Sequence, residues 1–135
     1  MITAVLFDLD GLLIDSEVIY LRMAQEMVRP YGGILTKEDY LSRFSGRTLD
    51  INIRDYIDEF GLPMTVEEGM EWTARREIEI AADGIPLKAG ALELIRYLKD
   101  NGIRMMLATS SLPDRAERIL TKDGVYDLFD RFVFR

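Results

Sequence analysis

The feature that most constrains the fold is an apolar run that ends in two aspartates and a glycine. Residues 4–7 read Ala-Val-Leu-Phe, and residues 8–11 read Asp-Leu-Asp-Gly. An apolar run without alternation is typical of a strand that is buried on both faces in a parallel sheet. We therefore predict a strand at about residues 3–8, with Asp8 and Asp10 at its carboxyl end. Two carboxylates held together with little water cost free energy unless a cation or a reaction requires them.

Two simpler readings of this segment compete with a functional one. Asp10-Gly11 between apolar runs is also the signal of a two-residue hairpin turn. One face of a hairpin strand is exposed to solvent, however, so apolar and polar residues alternate along it. Residues 4–7 do not alternate in this way, and a helical pattern begins at Ser16. The second reading is a pair of exposed loop carboxylates without a role, which suits a single aspartate better than two.

The order of predicted elements indicates an α/β protein with an insertion. The first strand is followed by a block of short helices, and the chain then predicts a helix, a strand at 103–108, a helix and a strand at 131–134. Strands separated by helices pair in parallel through right-handed crossovers. We expect a Rossmann-like core, incomplete in this chain, made of residues 1–14 and 86–135. Residues 15–85 would form a helical cap domain inserted between them.

Several local signals place the helices. Thr36 and Thr65 each precede an acidic residue by three positions, as in a capping box, and Thr48 is placed to cap a third helix. Pro113 suits the first turn of a helix that follows the second predicted strand. Charged pairs such as Asp114-Arg115 are expected on solvated helix faces, without a function.

Composition excludes several classes of function. The chain has 135 residues, a net charge of −7, no cysteine and no histidine. Disulfides, thiolate metal sites and Ser-His-Asp triads are therefore impossible, and the acidic balance disfavours nucleic acids and anionic membrane surfaces as partners. No signal peptide or membrane span is predicted, and we expect a cytoplasmic protein. The oligomeric state is left open.

Polar residues after two predicted strands point to phosphoryl transfer. Ligands of open parallel sheets bind beyond the carboxyl ends of the strands, which is where Asp8 and Thr109 lie. A carboxylate can attack phosphorus, and a second one can move the proton of the leaving oxygen. Mg²⁺ suits such a site, because a hard cation offsets the repulsion between carboxylates and a phosphate. The simpler reading of Thr109 is a cap of the following helix.

Residues 8–17, Asp-Leu-Asp-Gly-Leu-Leu-Ile-Asp-Ser-Glu, and residues 107–111, Leu-Ala-Thr-Ser-Ser, resemble two motifs of the haloacid dehalogenase (HAD) superfamily. The resemblance extends to the chain order and is to the capped, β-phosphoglucomutase-like branch. It implies that Asp8 is the nucleophile and a Mg²⁺ ligand, and that Asp10 is the acid/base whose backbone carbonyl also binds the metal. Thr109 and the Ser110 amide would bind phosphoryl oxygens of a small phosphorylated metabolite.

The same resemblance implies that residues 45–48 form the cap loop, with Gly46 and Arg47 near the substrate. The equal alternative is that Arg47 is a solvated arginine at a helix start.

The resemblance also separates the candidate activities. The carboxylate at Asp10 disfavours dehalogenation. The mutases of this branch carry a histidine where we align Tyr20 and an arginine where we align Leu49. Both departures favour a phosphomonoester hydrolase over a sugar-phosphate mutase.

The family pattern also requires a lysine and an acidic pair after the third strand, and neither occurs before Arg135. We therefore expect the front part of a longer phosphatase, weak or inactive as a 135-residue piece, with the first strand at an exposed edge. A non-catalytic HAD-like binding module is the remaining alternative.

Overall fold

A computed structural model describes residues 1–82 and 84–134. The predicted cap contains residue 83 and the predicted core ends on residue 135, and these two positions lie outside the described residues. The strands are β1 (Ala4–Phe7), β2 (Arg104–Thr109) and β3 (Arg131–Phe134). The helices are α1 (Ser16–Val28), α2 (Lys37–Arg43), α3 (Leu49–Phe60), α4 (Val66–Ala82), α5 (Ala91–Asp100) and α6 (Pro113–Lys122), with short 3-10 helices at Arg29–Tyr31 and Tyr126–Leu128.

The strands form one parallel sheet in the order β1-β2-β3. Phe7 is registered with Leu107 of the central strand, and Leu107 is registered with Phe132. The connection from β2 to β3 runs through α6, as a parallel crossover requires. The α/β class with a parallel sheet is therefore confirmed. Within the described residues β1 pairs with β2 alone and lies at an edge, as expected.

The two faces of the sheet differ in exposure. Phe7, Met105 and Leu107 are buried on one face, whereas on the other Leu6 is 59% and Val133 is 56% exposed. The prediction that β1 is buried on both faces is therefore wrong for the described chain. The strand is apolar on both sides, but successive side chains point to opposite faces and only one of these faces is covered.

The chain divides into two compact units. The first consists of Met1–Ser16 and the described residues of Asp83–Arg135, and the second consists of Glu17–Ala82. In the first unit α5 packs against β2, and α6 contacts the 3-10 helix Tyr126–Leu128; the buried side chains of both helices recur at helical spacing. These side chains are Ala91, Ile95, Leu98, Ala116, Ile119 and Leu120.

The second unit is helical and has its own apolar core. Its buried members come from α1, α2, α3 and the segments that follow each of these helices, and Trp72 of α4 packs against them. They are Ala24, Met27, Val28, Leu35, Tyr40, Phe44, Ile53, Tyr56 and Leu62. The predicted capping boxes of Thr36 and Thr65 are confirmed, since each hydroxyl accepts a hydrogen bond from the backbone N–H three residues later.

Across the described ranges 1–82 and 84–134, we find no helix with the length and hydropathy needed to cross a membrane.

Candidate active site

Asp8 follows β1 directly and its side chain is exposed to solvent. The Leu9 N–H donates to Asp8 Oδ1 at 2.7 Å, which fixes one carboxylate oxygen against the backbone. Gly11 has a φ of +78°, a left-handed conformation that favours glycine, and its N–H donates to the Ile14 carbonyl at 2.9 Å. The chain thus coils into a compact loop before α1, and the hairpin alternative is wrong.

Asp10 is held by two side chains from the segment after β2. Arg115 donates from Nη1 to Asp10 Oδ2 and from Nη2 to Asp10 Oδ1, both at 3.0 Å. The Ser111 hydroxyl donates to Asp10 Oδ2 at 2.6 Å. The loops that follow β1 and β2, which carry the two predicted motifs, therefore meet through the Asp10 carboxylate.

These partners decide the ionisation of Asp10. Burial raises the pKa of this carboxyl, but the hydrogen bonds from Arg115 and Ser111 and the charge of Arg115 outweigh burial and lower it below its ordinary value of 3.8. A side-chain hydrogen bond with Ser16 adds to the lowering of the pKa. The free-energy cost predicted for a carboxylate in this position is thus offset by a guanidinium.

Thr109 is the last residue of β2 and is buried, whereas Ser110 is exposed. The Ser111 N–H donates to Thr109 Oγ1 at 3.0 Å, which leaves the hydroxyl proton available for another acceptor. The N-cap of α6 is Leu112, and Pro113 is the first residue of that helix, as predicted. The reading of Thr109 as a helix cap is therefore wrong.

Two basic residues at this site were missed by sequence reasoning. Arg115 was expected on a solvated face, but its side chain is only 11% exposed because it pairs with Asp10. Lys88 donates from Nζ to the Gly11 carbonyl at 2.7 Å and from its backbone N–H to the Leu13 carbonyl at 2.8 Å. The spacing of Ser111 and Arg115, one helical turn apart, was a signal that could have suggested a shared target.

Gly46 and Arg47 lie in the second unit, between α2 and α3. Gly46 has a φ of +76° in the turn after α2. Arg47 Nη1 lies 2.8 Å from Asp55 Oδ2 and donates to the Arg43 carbonyl at 3.0 Å. The arginine is therefore half-exposed in an ion pair within its own unit, and its role toward a substrate stays a prediction.

The oxygen atoms of Asp8 and Asp10 are the candidate ligands for Mg²⁺. The described residues contain no group of three or more His, Cys, Asp or Glu side chains arranged to hold one ion. The Asp8 carboxylate is exposed, while the Asp10 carboxylate is bound to Arg115, so Asp10 can contribute its backbone carbonyl. Mg²⁺ in proteins is often held by one or two carboxylates together with waters and substrate phosphate oxygens. Two hard oxygen donors of this kind fit Mg²⁺ when water and phosphate supply the remaining ligands.

Comparison with known proteins identifies the family. Residues 2–135 match the family model described as haloacid dehalogenase-like hydrolase. The chain belongs to this family. A Drosophila melanogaster relative named "Probable pseudouridine-5'-phosphatase" is 33% identical over 116 residues, which are 86% of this chain and 49% of that protein. Hexitol phosphatase B of Escherichia coli K12 is 28% identical over 130 residues, 96% of this chain and 59% of the relative.

A solved structure confirms the HAD fold. A Thermotoga maritima protein described as a "putative beta-phosphoglucomutase" superposes with a TM-score of 0.83 at 23% identity, over 98% of this HAD chain and 61% of that protein. The chain thus spans about half to three fifths of the length of these relatives.

Proposed function

We propose that this HAD-family chain carries the nucleophile and acid/base half of a Mg²⁺-dependent phosphomonoester hydrolase that acts on a small phosphorylated metabolite. The main support is the meeting of the two motif loops at Asp10, with Ser111 at 2.6 Å and Arg115 at 3.0 Å. The names of the relatives, which are phosphatases, agree with this class of reaction.

The proposed reaction has two displacement steps at phosphorus. Asp8, exposed at the end of β1, attacks with a carboxylate oxygen, and the bond from phosphorus to the substrate oxygen breaks. To act as the acid, Asp10 must take up a proton, which replaces the hydrogen bond from Arg115 Nη2 to Oδ1 and leaves Oδ2 bonded to Arg115 Nη1 and Ser111. It gives this proton to the leaving oxygen, and it takes one back from the water that hydrolyses the aspartyl-phosphate. The Thr109 hydroxyl and the Ser110 amide would donate to the phosphoryl oxygens. The products are the free alcohol and inorganic phosphate.

Mg²⁺ would be held by the Asp8 carboxylate and the Asp10 backbone carbonyl. When bound, it neutralises charge on the phosphoryl group, which would otherwise be repelled by Asp8. The Arg115 and Lys88 side chains do not replace it, since Arg115 is paired with Asp10 and Lys88 with the Gly11 carbonyl.

The remaining assignments follow the same proposal. Residues 1–14 and 86–135 would be the catalytic core, and residues 15–85 the cap that contacts the substrate through Gly46 and Arg47. We expect slow turnover from these 135 residues by themselves, because they span only about half to three fifths of the length of the relatives.

The test is hydrolysis of p-nitrophenyl phosphate with Mg²⁺, measured with the chain in excess so that slow turnover is visible. Asp8→Asn should abolish release of p-nitrophenol while far-UV circular dichroism stays unchanged. Asp58→Asn, an exposed aspartate of α3, is the matched control and should keep the wild-type rate. Equal rates for wild type and Asp8→Asn would refute the role of Asp8.

A non-catalytic binding module is the second candidate, because both oxygens of Asp10 are already bound to Arg115. Titration with Mg²⁺ and fluoroberyllate, a phosphoryl mimic, separates the candidates. A chain that binds both without any turnover is a binding module, and one that binds neither is at most a scaffold.

A further inference from the structure

Arg115 joins two segments that lie far apart in sequence. Its two terminal nitrogens bind the two carboxylate oxygens of Asp10, which lies 105 residues away. Its Nη1 also donates to the Ser111 hydroxyl at 2.6 Å, and that hydroxyl donates to Asp10 at 2.6 Å. The three side chains form a closed network, so a movement of the Asp10 carboxylate breaks more than one hydrogen bond.

The geometry of this contact is specific to arginine. A guanidinium presents two parallel N–H donors that match a carboxylate, so the pair fixes the plane of the carboxylate as well as its position. A lysine at the same place would keep the charge but present a single point, around which the carboxylate can turn.

The surroundings of Arg115 distinguish it from an ordinary surface ion pair. Exposed ion pairs contribute little to the free energy of folding, because solvent screens their charges and two long side chains must be held in one geometry. The Arg115 side chain is 11% exposed, and it begins in the first turn of α6, one helical turn after Ser111. The helix therefore presents the guanidinium to the loop after β1 from a fixed support.

We infer that Arg115 is a positioning residue that sets the orientation of the Asp10 carboxylate for proton transfer to the leaving group. This inference rests on the proposed function. Because Arg115 acts through Asp10, its removal should matter where the leaving group needs a proton and matter little where it does not. An alkyl alkoxide needs that proton, whereas p-nitrophenolate is stable enough to leave without it.

The experiment compares release of the alcohol from propyl phosphate and from p-nitrophenyl phosphate in single-turnover assays with Mg²⁺. Arg115→Ala should slow the propyl ester by about 100-fold, within the range for loss of acid catalysis, and the aryl ester by about fivefold or less. Arg115→Lys should recover only part of the propyl rate. Arg118→Ala removes an exposed arginine of the same helix and should change neither rate.

A double variant tests whether Arg115 acts through Asp10. In an Asp10→Asn background, adding Arg115→Ala should cause no further loss on propyl phosphate, because the carboxylate that Arg115 orients is already absent. The inference would be overturned if the rate losses of Asp10→Asn and Arg115→Ala multiply in the double variant. It would also be overturned if Arg115→Ala slows both esters equally. Either result would leave the phosphatase proposal intact. A wild-type chain that releases neither alcohol would overturn the proposed function, and this inference with it. Circular dichroism of each variant identifies any loss of rate that comes from unfolding, and Arg115→Lys is then the deciding variant.

Discussion

Gly69 of α4 lies so close to Ile53 of α3 that a Cβ added to the glycine would be 2.5 Å from Ile53 Cγ2. Ile53 is fully buried in the core of the second unit, and its Cγ2 is attached to the stiff, branched Cβ. The two helices therefore approach closely at a position where a side chain does not fit.

We predict that Gly69→Ala destabilises the chain although alanine is the better helix former. The propensity gain is about 1 kcal/mol, and overpacking costs about 1–3 kcal/mol, so the expected net loss is between about 0 and 2 kcal/mol. Urea denaturation followed by circular dichroism gives the free energy of unfolding. Ala74→Gly, at an exposed position of α4, measures the difference in helix propensity between alanine and glycine without the contact to Ile53.

A second substitution tests the contact directly. Ile53→Ala removes Cγ2, so the loss caused by Gly69→Ala should be smaller in the Ile53→Ala background than in the wild type. An increase of stability with Gly69→Ala alone would contradict the close approach of the two helices.

Glu26 and Arg76 predict a pH dependence within the second unit. Arg76 Nε lies 2.6 Å from Glu26 Oε2 and joins α4 to α1. Hydrogen bonds from Arg76 lower the pKa of Glu26 from 4.5 to about 2, against the opposing effect of burial. Because the folded-state pKa is the lower one, the stabilisation is present above pH 4.5 and is lost as the pH falls toward 2.

Glu26→Gln should therefore lower the urea midpoint at pH 7 and lower it progressively less between pH 4.5 and pH 2. Glu71→Gln, an exposed position of α4, is the control and should have a smaller effect at pH 7. A difference between Glu26→Gln and wild type that is constant from pH 7 to pH 2 would exclude this ion pair as its source.

Mg²⁺ binding is expected to depend on Asp8. Calorimetric titration of the wild type should give a weak affinity, because only two protein oxygens are proposed as ligands, and inorganic phosphate should strengthen it. Asp8→Asn should weaken Mg²⁺ binding by at least about tenfold, since it removes the charged ligand. Removal of Mg²⁺ with a chelator should stop turnover reversibly. Unchanged affinity in Asp8→Asn would locate the ion elsewhere.

Leu6 and Leu107 allow the two faces of the sheet to be compared. Leu6 is 59% exposed on β1, whereas Leu107 is fully buried on β2. Leu6→Thr keeps a good strand former and should change the free energy of unfolding by less than about 1 kcal/mol while reducing concentration-dependent association. Leu107→Thr should cost about 2–5 kcal/mol, as for other truncated core leucines. Similar losses at both positions would show that Leu6 is covered in solution.

The sequence was a good guide to elements whose cause is local. The apolar run ending at Phe7 and the one predicted at 103–108 both form strands, because their patterns and flanking turns agree, and the second strand extends to Thr109. The capping boxes of Thr36 and Thr65 form because donor and acceptor lie three residues apart in any helix start. Thr48 is the N-cap of α3, as predicted, but no side-chain capping bond forms, and its hydroxyl instead bonds to Asp50.

What the sequence could not reveal depends on distant parts of the chain. The partnership of Asp10 and Arg115 spans 105 residues, so the local charge pattern around Arg115 indicated only a solvated helix face. The exposure of Leu6 could not be predicted either, because a leucine in a strand gives the same sequence pattern whether or not another layer of the fold covers it. The cap loop at Gly46 and Arg47 and the metal ligands stay predictions.

Trp72 is the single tryptophan of the chain, and it packs against the helical core of the second unit. Its fluorescence is therefore an intrinsic reporter of one unit, while the sheet contributes no indole signal. Melting curves recorded by emission and by ellipticity would coincide if the two units unfold as one cooperative block and separate if each unfolds on its own.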